Sequence, residues 1–380
     1  MVTNQPARRR TLGFGTYNID SHPRVGVILE GLRDGGDLVR ELNAPLSSLT
    51  KDRVAALSGS RAALKFFTDL GSSWVKLIRG RAAYRGRYSP DIVVVGYLGH
   101  FDVLLARALF PRTTIVLDHL IFAADTAKDR GAKGGLLGRA LTLLDKLAIK
   151  AADIVVFDTV EHARMAPPGT RGVVVPVGAP DEWFDQDPQD RDGVVFYGLY
   201  TPLQGAPTIG RALAILAERG ARVPVTMIGS GQDLEETKRA ADGAEATWID
   251  WVDAHDLPGL VASHEISLGI FGTTAKAARV VPNKVYQGLA AGCAVITSDT
   301  RAQRDMLGQA ALFVEPGNAL QLADAIENLV SDPERVEQLK ERGRKLALDK
   351  FRPGTVVLPL LAELDSLVVS GGGRGRSASR

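Results

Sequence analysis

Short apolar runs alternate with longer stretches of helical period twice along this chain, once on each side of a segment rich in Pro, Gly and Asp. The first series is Thr11 to Phe14, Ile92 to Val95, Thr114 to Leu117 and Ile154 to Phe157. The second is Val194 to Tyr197, Val225 to Ile228, Thr247 to Ile249, Ser267 to Ile270, Ala294 to Thr297 and Ala311 to Val314. Strands that each hand over to a helix before the next strand begins pair in parallel. The expected class is therefore α/β, with two successive doubly wound, Rossmann-like domains. A length of 380 residues suits two domains of ordinary size.

The segment 178–192 carries no periodic pattern, so the first domain is expected to span 1–176 and the second 177–350. The last helices should run from about Ala319 to Asp349, with Pro333 as a local stop. A further helix is expected within 351–369, over Thr355 to Leu367, packing back on the N-terminal domain. Residues 370–380, a Gly, Ser and Arg tail, cannot bury a core and read as disordered.

The formal net charge of +2 decides little by itself, but Arg61 to Pro90 holds seven Lys or Arg and one Asp. Phe67, Leu70, Trp74 and Leu77 recur there at helical spacing, beside Lys65, Lys76, Arg79 and Arg81. That pattern fits an ordinary core-facing helix, or one lying on an anionic membrane surface. No run of 18 apolar residues occurs, and no apolar signal core follows Arg10, so a cytoplasmic protein with at most peripheral membrane contact is expected. No nucleic-acid partner is expected. Cys293 is the only cysteine, which excludes an intramolecular disulfide and a thiolate-rich zinc site.

In a doubly wound domain, ligands bind beyond the carboxyl ends of the strands, where helix N-termini offer unpaired N–H groups to anions. Two glycine turns stand there, Phe196 to Gly205 with Gly198, and Gly229 to Gln232 with Gly231. Each admits close approach of a ligand, or serves any tight strand-to-helix connection. The run Gly269 to Thr297 is sharper: Pro282 suits the first helical position, leaving the N–H groups of Asn283 and Lys284 open. Lys276, Arg279 and Lys284 surround that terminus, a set that favours a diphosphate or forms a solvated basic loop. Asp185-Gln-Asp187 resembles a metal motif but lies in the linker, and no metal is expected.

The order of these motifs resembles the retaining glycosyltransferases of the GT-B type usually called family 4. Val175-Pro-Val-Gly-Ala-Pro-Asp181 is similar to the segment that opens that family's donor domain. Phe196 to Gly205 resembles its phosphate loop, Ile228 to Gly231 its second glycine turn, and Ser267 to Thr297 its donor-sugar loop and helix. Leu312 to Gly317 resembles the strand and turn that follow. The resemblance covers 173–350 and implies two Rossmann-like domains facing a cleft. It further implies transfer of a sugar from a nucleotide sugar to a glycan, lipid-linked or small-molecule acceptor, without cofactor or metal.

Two departures matter. Where the family's phosphate loop carries Arg and Lys, this chain has Leu199 and Gln204, and where paired glutamates stand eight positions apart it has Arg279 and Gln287. Lys276, Arg279 and Lys284 are expected to take over charge neutralisation, with Gln287 on the ribose. Trp251 and Val252 fall where the family contacts the base. In the first domain, Gly15 and Arg24 are expected on the donor and His119, after Asp118, on the donor sugar. His100 is a second candidate. The resemblance nominates stabilisers of the leaving group, Lys284, Arg279 and His119, and no nucleophile. The rivals are a sugar-nucleotide epimerase of the same fold and an inactive sugar-nucleotide-binding or scaffold protein.

Overall fold

The computed structural model describes residues 8–19, 21–46, 60–131, 135–188 and 190–372, with backbone alone for 60–63 and 368–372. Of the tail expected to be disordered, 370–372 instead end the last helix, and 373–380 lie outside the described residues. The chain forms two compact units, one of residues 1–128, 133–176 and 353–380, the other of 129–132 and 177–352.

The first unit is a six-stranded parallel sheet of β1 (Arg10–Gly15), β2 (Leu38–Asn43), β3 (Ile92–Val95), β4 (Thr114–Asp118), β5 (Ile154–Phe157) and β6 (Gly172–Val174), in the order β2-β1-β3-β4-β5-β6. Its helices are α1 (Arg24–Asp34), α2 (Ser60–Gly80), α3 (Asp102–Leu109), α4 (Ala123–Asp129), α5 (Leu136–Ala151) and α6 (Val160–Ala163). In the second unit β7 (Val194–Tyr197), β8 (Val225–Ile228), β9 (Thr247–Ile249), β10 (Ile266–Leu268), β11 (Ala294–Ser298) and β12 (Leu312–Val314) pair as β12-β11-β10-β7-β8-β9. It carries α7 (Ala206–Glu218), α8 (Leu234–Ala240), α9 (Leu257–Ala262), α10 (Asn283–Ala290), α11 (Arg301–Leu307), α12 (Ala319–Val330) and α13 (Pro333–Lys350). Then α14 (Pro353–Val356) and α15 (Leu358–Gly372) complete the first unit.

Successive strand residues face opposite sides, so each sheet serves two cores. In the first unit Ile92, Val94, Val116, Ile154 and Val156 meet α1 together with Val356, Val357, Leu360 and Leu364 from α14, α15 and their link. The other face, Val93, Val95, Ile115 and Leu117, meets Leu77 of α2, Ala106 of α3 and Ala148 of α5. The four residues from Phe67 to Leu77 therefore do not form one outward stripe. Leu70 and Leu77 are buried and the Trp74 ring donates to Asp102, while Phe67 is 55% exposed. Pro333 starts α13, since a missing N–H costs nothing in the first turn.

Candidate active site

The strand order of the second sheet reverses between β7 and β10, which start the chain's excursions to opposite edges. A crevice opens beyond the carboxyl ends at such a switch point. The loop after β7 carries Gly198 to Gly205, and the segment after β10 leads to α10. Both lie at that position.

Three of the nominated glycines are explained by loop packing. A Cβ on Gly205 would stand 2.3 Å from the Phe271 and Gly272 backbone, one on Gly229 2.0 Å from the Gly198 carbonyl oxygen, and one on Gly231 2.4 Å from Tyr200 O. Gly198 differs, because its Cβ position faces a side-chain amine, Lys284 Nζ at 3.1 Å.

Lys284 is the second residue of α10. Pro282 occupies the N-cap in extended conformation (φ −76°, ψ 155°), one position earlier than the sequence suggested, and no side chain caps the helix. The Lys284 stem is buried, its Nζ donates to Gln204 Oε1 at 2.6 Å, and it stands 3.7 Å above the centroid of the Phe196 ring. Burial holds this amine well below the ordinary lysine pKa. A lysine from a helix 80 residues further on thus touches the loop residue that stands where the resemblance places a lysine.

Gln287 lies one turn along the same helix face and is 7% exposed. The Tyr197 hydroxyl stands 3.3 Å from its Oε1 and 3.2 Å from the Lys284 carbonyl oxygen. Lys276 precedes and Arg279 ends a short 3-10 turn, Ala277–Arg279, and both are half-buried. Asn283, half-buried, opens α10. Trp251, beyond β9, is 68% exposed with its ring nitrogen 3.3 Å from Asp253 Oδ1, and Val252 is half-buried beside it.

The first unit corrects two expectations. Arg24 does not reach outward: it is 1% exposed, its Nε donates to Asp118 Oδ1 at 2.7 Å and its Nη2 to Val175 O at 3.1 Å. Burial pushes the Asp118 carboxyl up, against the pull of Arg24. His119 offers no face to a sugar either, being 1% exposed and packed edge-on to Phe122 at 4.6 Å. Burial, and then the neighbouring His100 and His162, hold its imidazole well below the ordinary value. Gly15 (φ 145°) leaves room for the Asp102 carboxylate, which would lie 3.0 Å from a Cβ there and accepts from Thr16 N at 2.8 Å.

Sequence reading missed the partners around His119. His100 Nε2 and Asp145 Oδ1 are 2.9 Å apart, and Asp145 also accepts the Ala123 N–H at 2.8 Å. Ligand atoms of His100, His119 and Asp145 lie within 4.8 Å of one another, the one such buried trio among the described residues with metal-ligand chemistry. Their positions along the chain give no regular spacing. Asp158 and His162, 2.5 Å apart, were also missed, although their separation of four at the start of α6 is a signal that could have found them.

Residues 191–332 match the family model described as Glycosyl transferases group 1. No curated protein matches the sequence. Among solved structures, the chain is similar to sucrose-phosphate synthase from Thermosynechococcus elongatus, with a TM-score of 0.70 at 13% identity over 95% of this chain and 100% of that one. It is similar to α,α-trehalose 6-phosphate synthase from Burkholderia multivorans, with 0.65 at 14% over 98% and 100%. The Anabaena protein HepE in complex with UDP-glucose gives 0.65 at 13% over 94% and 100%.

Proposed function

We propose that this glycosyltransferase of the GT-B fold, whose residues 191–332 form a glycosyl transferases group 1 domain, moves a sugar from a nucleoside-diphosphate sugar to an acceptor hydroxyl with retention of anomeric configuration. The observation that carries this reading is Lys284 Nζ, seated beyond the end of β7 against Gln204 and Gly198. A diphosphate there meets one buried cation, the open N-terminus of α10 and the flanking Lys276 and Arg279. As the anomeric C–O bond breaks, its electron pair goes to the diphosphate, and these groups stabilise the charge that appears. The acceptor oxygen bonds the anomeric carbon on the face the diphosphate leaves, and its proton passes to the leaving phosphate. Gln287 supplies an amide to the ribose.

The leaving group is neutralised by protein cations, so the transfer runs without a metal ion. UDP-glucose, bound by one similar protein, is the first donor to test. Incubation of the full chain with UDP-, GDP-, ADP- and TDP-sugars and candidate acceptors in EDTA should release nucleoside diphosphate and a glycoside of the donor's anomeric configuration, read by NMR. An inverted product, or activity restored only by added metal, contradicts the proposal. Epimerised donor without acceptor would mark the isomerase instead.

Of the glycan, lipid-linked and small-molecule acceptors, we infer a lipid-linked one. α2 shows Leu64, Phe67, Val75 and Ile78 outward, 67, 55, 45 and 48% exposed, with Lys65, Lys76 and Arg79 exposed beside them. No helix among the described residues is long and apolar enough to cross a membrane, and this stripe suits one lying on its surface.

A further inference from the structure

The layer made by α2, α3 and α5 on one face of the first sheet has a second unusual helix. α5 turns Leu141, Ala148, Ile149 and the Asp145 carboxylate inward. Leu136, Leu143 and Leu147 are left 85, 56 and 45% exposed. At intervals of seven and four residues they fall within about 40° of one another around the helix. Arg139, Lys146 and Lys150 are exposed alongside. Asp145 is the helix's only acid and is held by His100, so the outer face carries cations and leucines with no carboxylate among them.

We propose that α5 is a second membrane-contact helix, which with α2 lays this layer of the first unit flat on an anionic lipid surface. The inference rests on the peripheral reading of α2 and adds a second element and an orientation. Both helices cover the same sheet face, since Leu77 of α2 and Ala148 of α5 belong to one core. Each presents an apolar stripe bordered by long basic side chains. Leucines that enter the acyl boundary while Lys and Arg extend to lipid phosphates satisfy both halves of that pattern. A protein partner fits it less well, because lysine is depleted at protein interfaces. The charge is also one-sided: across the sheet, α15 carries Glu363 and Asp365 with no basic residue, and α1 carries Glu30 and Asp34 beside Arg24 and Arg33.

The test is cosedimentation of the full chain with vesicles of phosphatidylcholine, with and without phosphatidylserine, at low and high salt. One variant changes Arg139, Lys146 and Lys150 to Glu, a second changes Leu136, Leu143 and Leu147 to Gln, and a third changes Lys65, Lys76 and Arg79 to Glu. All nine sites are exposed, so thermal melting should be unchanged. Each variant is expected to lower the vesicle partition at least about tenfold, with salt weakening the wild type. Wild-type pelleting by the two α5 variants, with loss in the α2 variant, overturns the second contact and leaves the α2 reading standing. Failure of the wild type to bind anionic vesicles overturns both. Self-association that the leucine variant abolishes, without lipid binding, assigns the stripe to a second copy and overturns the proposal.

Discussion

A buried ammonium is costly unless something negative arrives to meet it, and Lys284 is held by one amide oxygen and the face of Phe196. Removing it by Lys284→Ala should cost on the order of 2 to 4 kcal/mol of transition-state stabilisation while leaving the fold intact. Steady-state transfer rates, with circular dichroism as the control, check this. Because Nζ stands 2.6 Å from Gln204 Oε1, a lysine at position 204 can return a cation to the same place from the loop. The pair Gln204→Lys with Lys284→Ala should recover part of the lost rate. No recovery would mean that the helix position itself, not the charge, is required. Lys284 and Arg279 were legible as cations beside a helix start. Gln204 read only as a loss, because nothing local announces a partner 80 residues away.

His119 gives a pH dependence at the same scale. Its folded pKa lies below 6.5, so between that folded value and 6.5 the unfolded chain holds a proton that the native chain does not. Stability from this group therefore rises with pH across that window and is lost as pH falls below 6.5. Asp118, with its carboxyl pushed up, acts in the opposite sense, so the measurement is a difference. Urea unfolding from pH 4 to 7 should show a shallower pH slope for His119→Asn than for wild type, by up to about 1.4 kcal/mol per pH unit. Equal slopes would place His119 in a wetter site.

Strands buried on both sides were the plainest elements, whereas of the four edge strands β9 and β12 were readable and β2 and β6 were not. β3, β5 and β7 are buried at every residue and stood out as apolar runs. β2 and β6 escaped notice because they are edge strands with mostly half-buried or exposed residues, so their sequences, LVRELN and GVV, lack that signature. In α2 the period of apolar residues was clear, yet period alone does not say which side is inside. Two apolar sectors lie next to each other, one built around Leu70 and Leu77 and one around Leu64, Phe67, Val75 and Ile78. Leu77→Ala should lower stability by about 2 to 5 kcal/mol through lost burial and the cavity left behind. Ile78→Gln, one residue on, should stay within about 0.5 kcal/mol. Chemical denaturation of both variants decides whether the sectors are assigned to the right sides.

At the scale of the whole molecule, the chain returns to its first unit through the helix expected within 351–369, and what the sequence does not give is the contact that seats it there. Composition marks 355–367 as helical but says nothing about which of two cores the helix joins, since either sheet offers an apolar face. The deciding contact is steric: Gly31 of α1 lies so close to the end segment that a Cβ would stand 2.1 Å from Pro353 O and 2.7 Å from both Val357 methyls. Only a residue without a side chain lets α14 seat there, and seating it brings Val356, Val357, Leu360 and Leu364 into the core with α1. Gly31→Ala gains helix propensity yet must push that backbone away, so overpacking prevails and stability should fall by about 1 to 3 kcal/mol. Every atom of the clash belongs to the first unit, whereas Lys284, Gln204 and Gln287 belong to the second. The variant should therefore melt at a lower temperature and be cleaved faster near residue 352, while the affinity for a nucleoside diphosphate, read by calorimetry, stays at the wild-type value. A parallel fall in that affinity would show that the diphosphate site depends on the first unit's core.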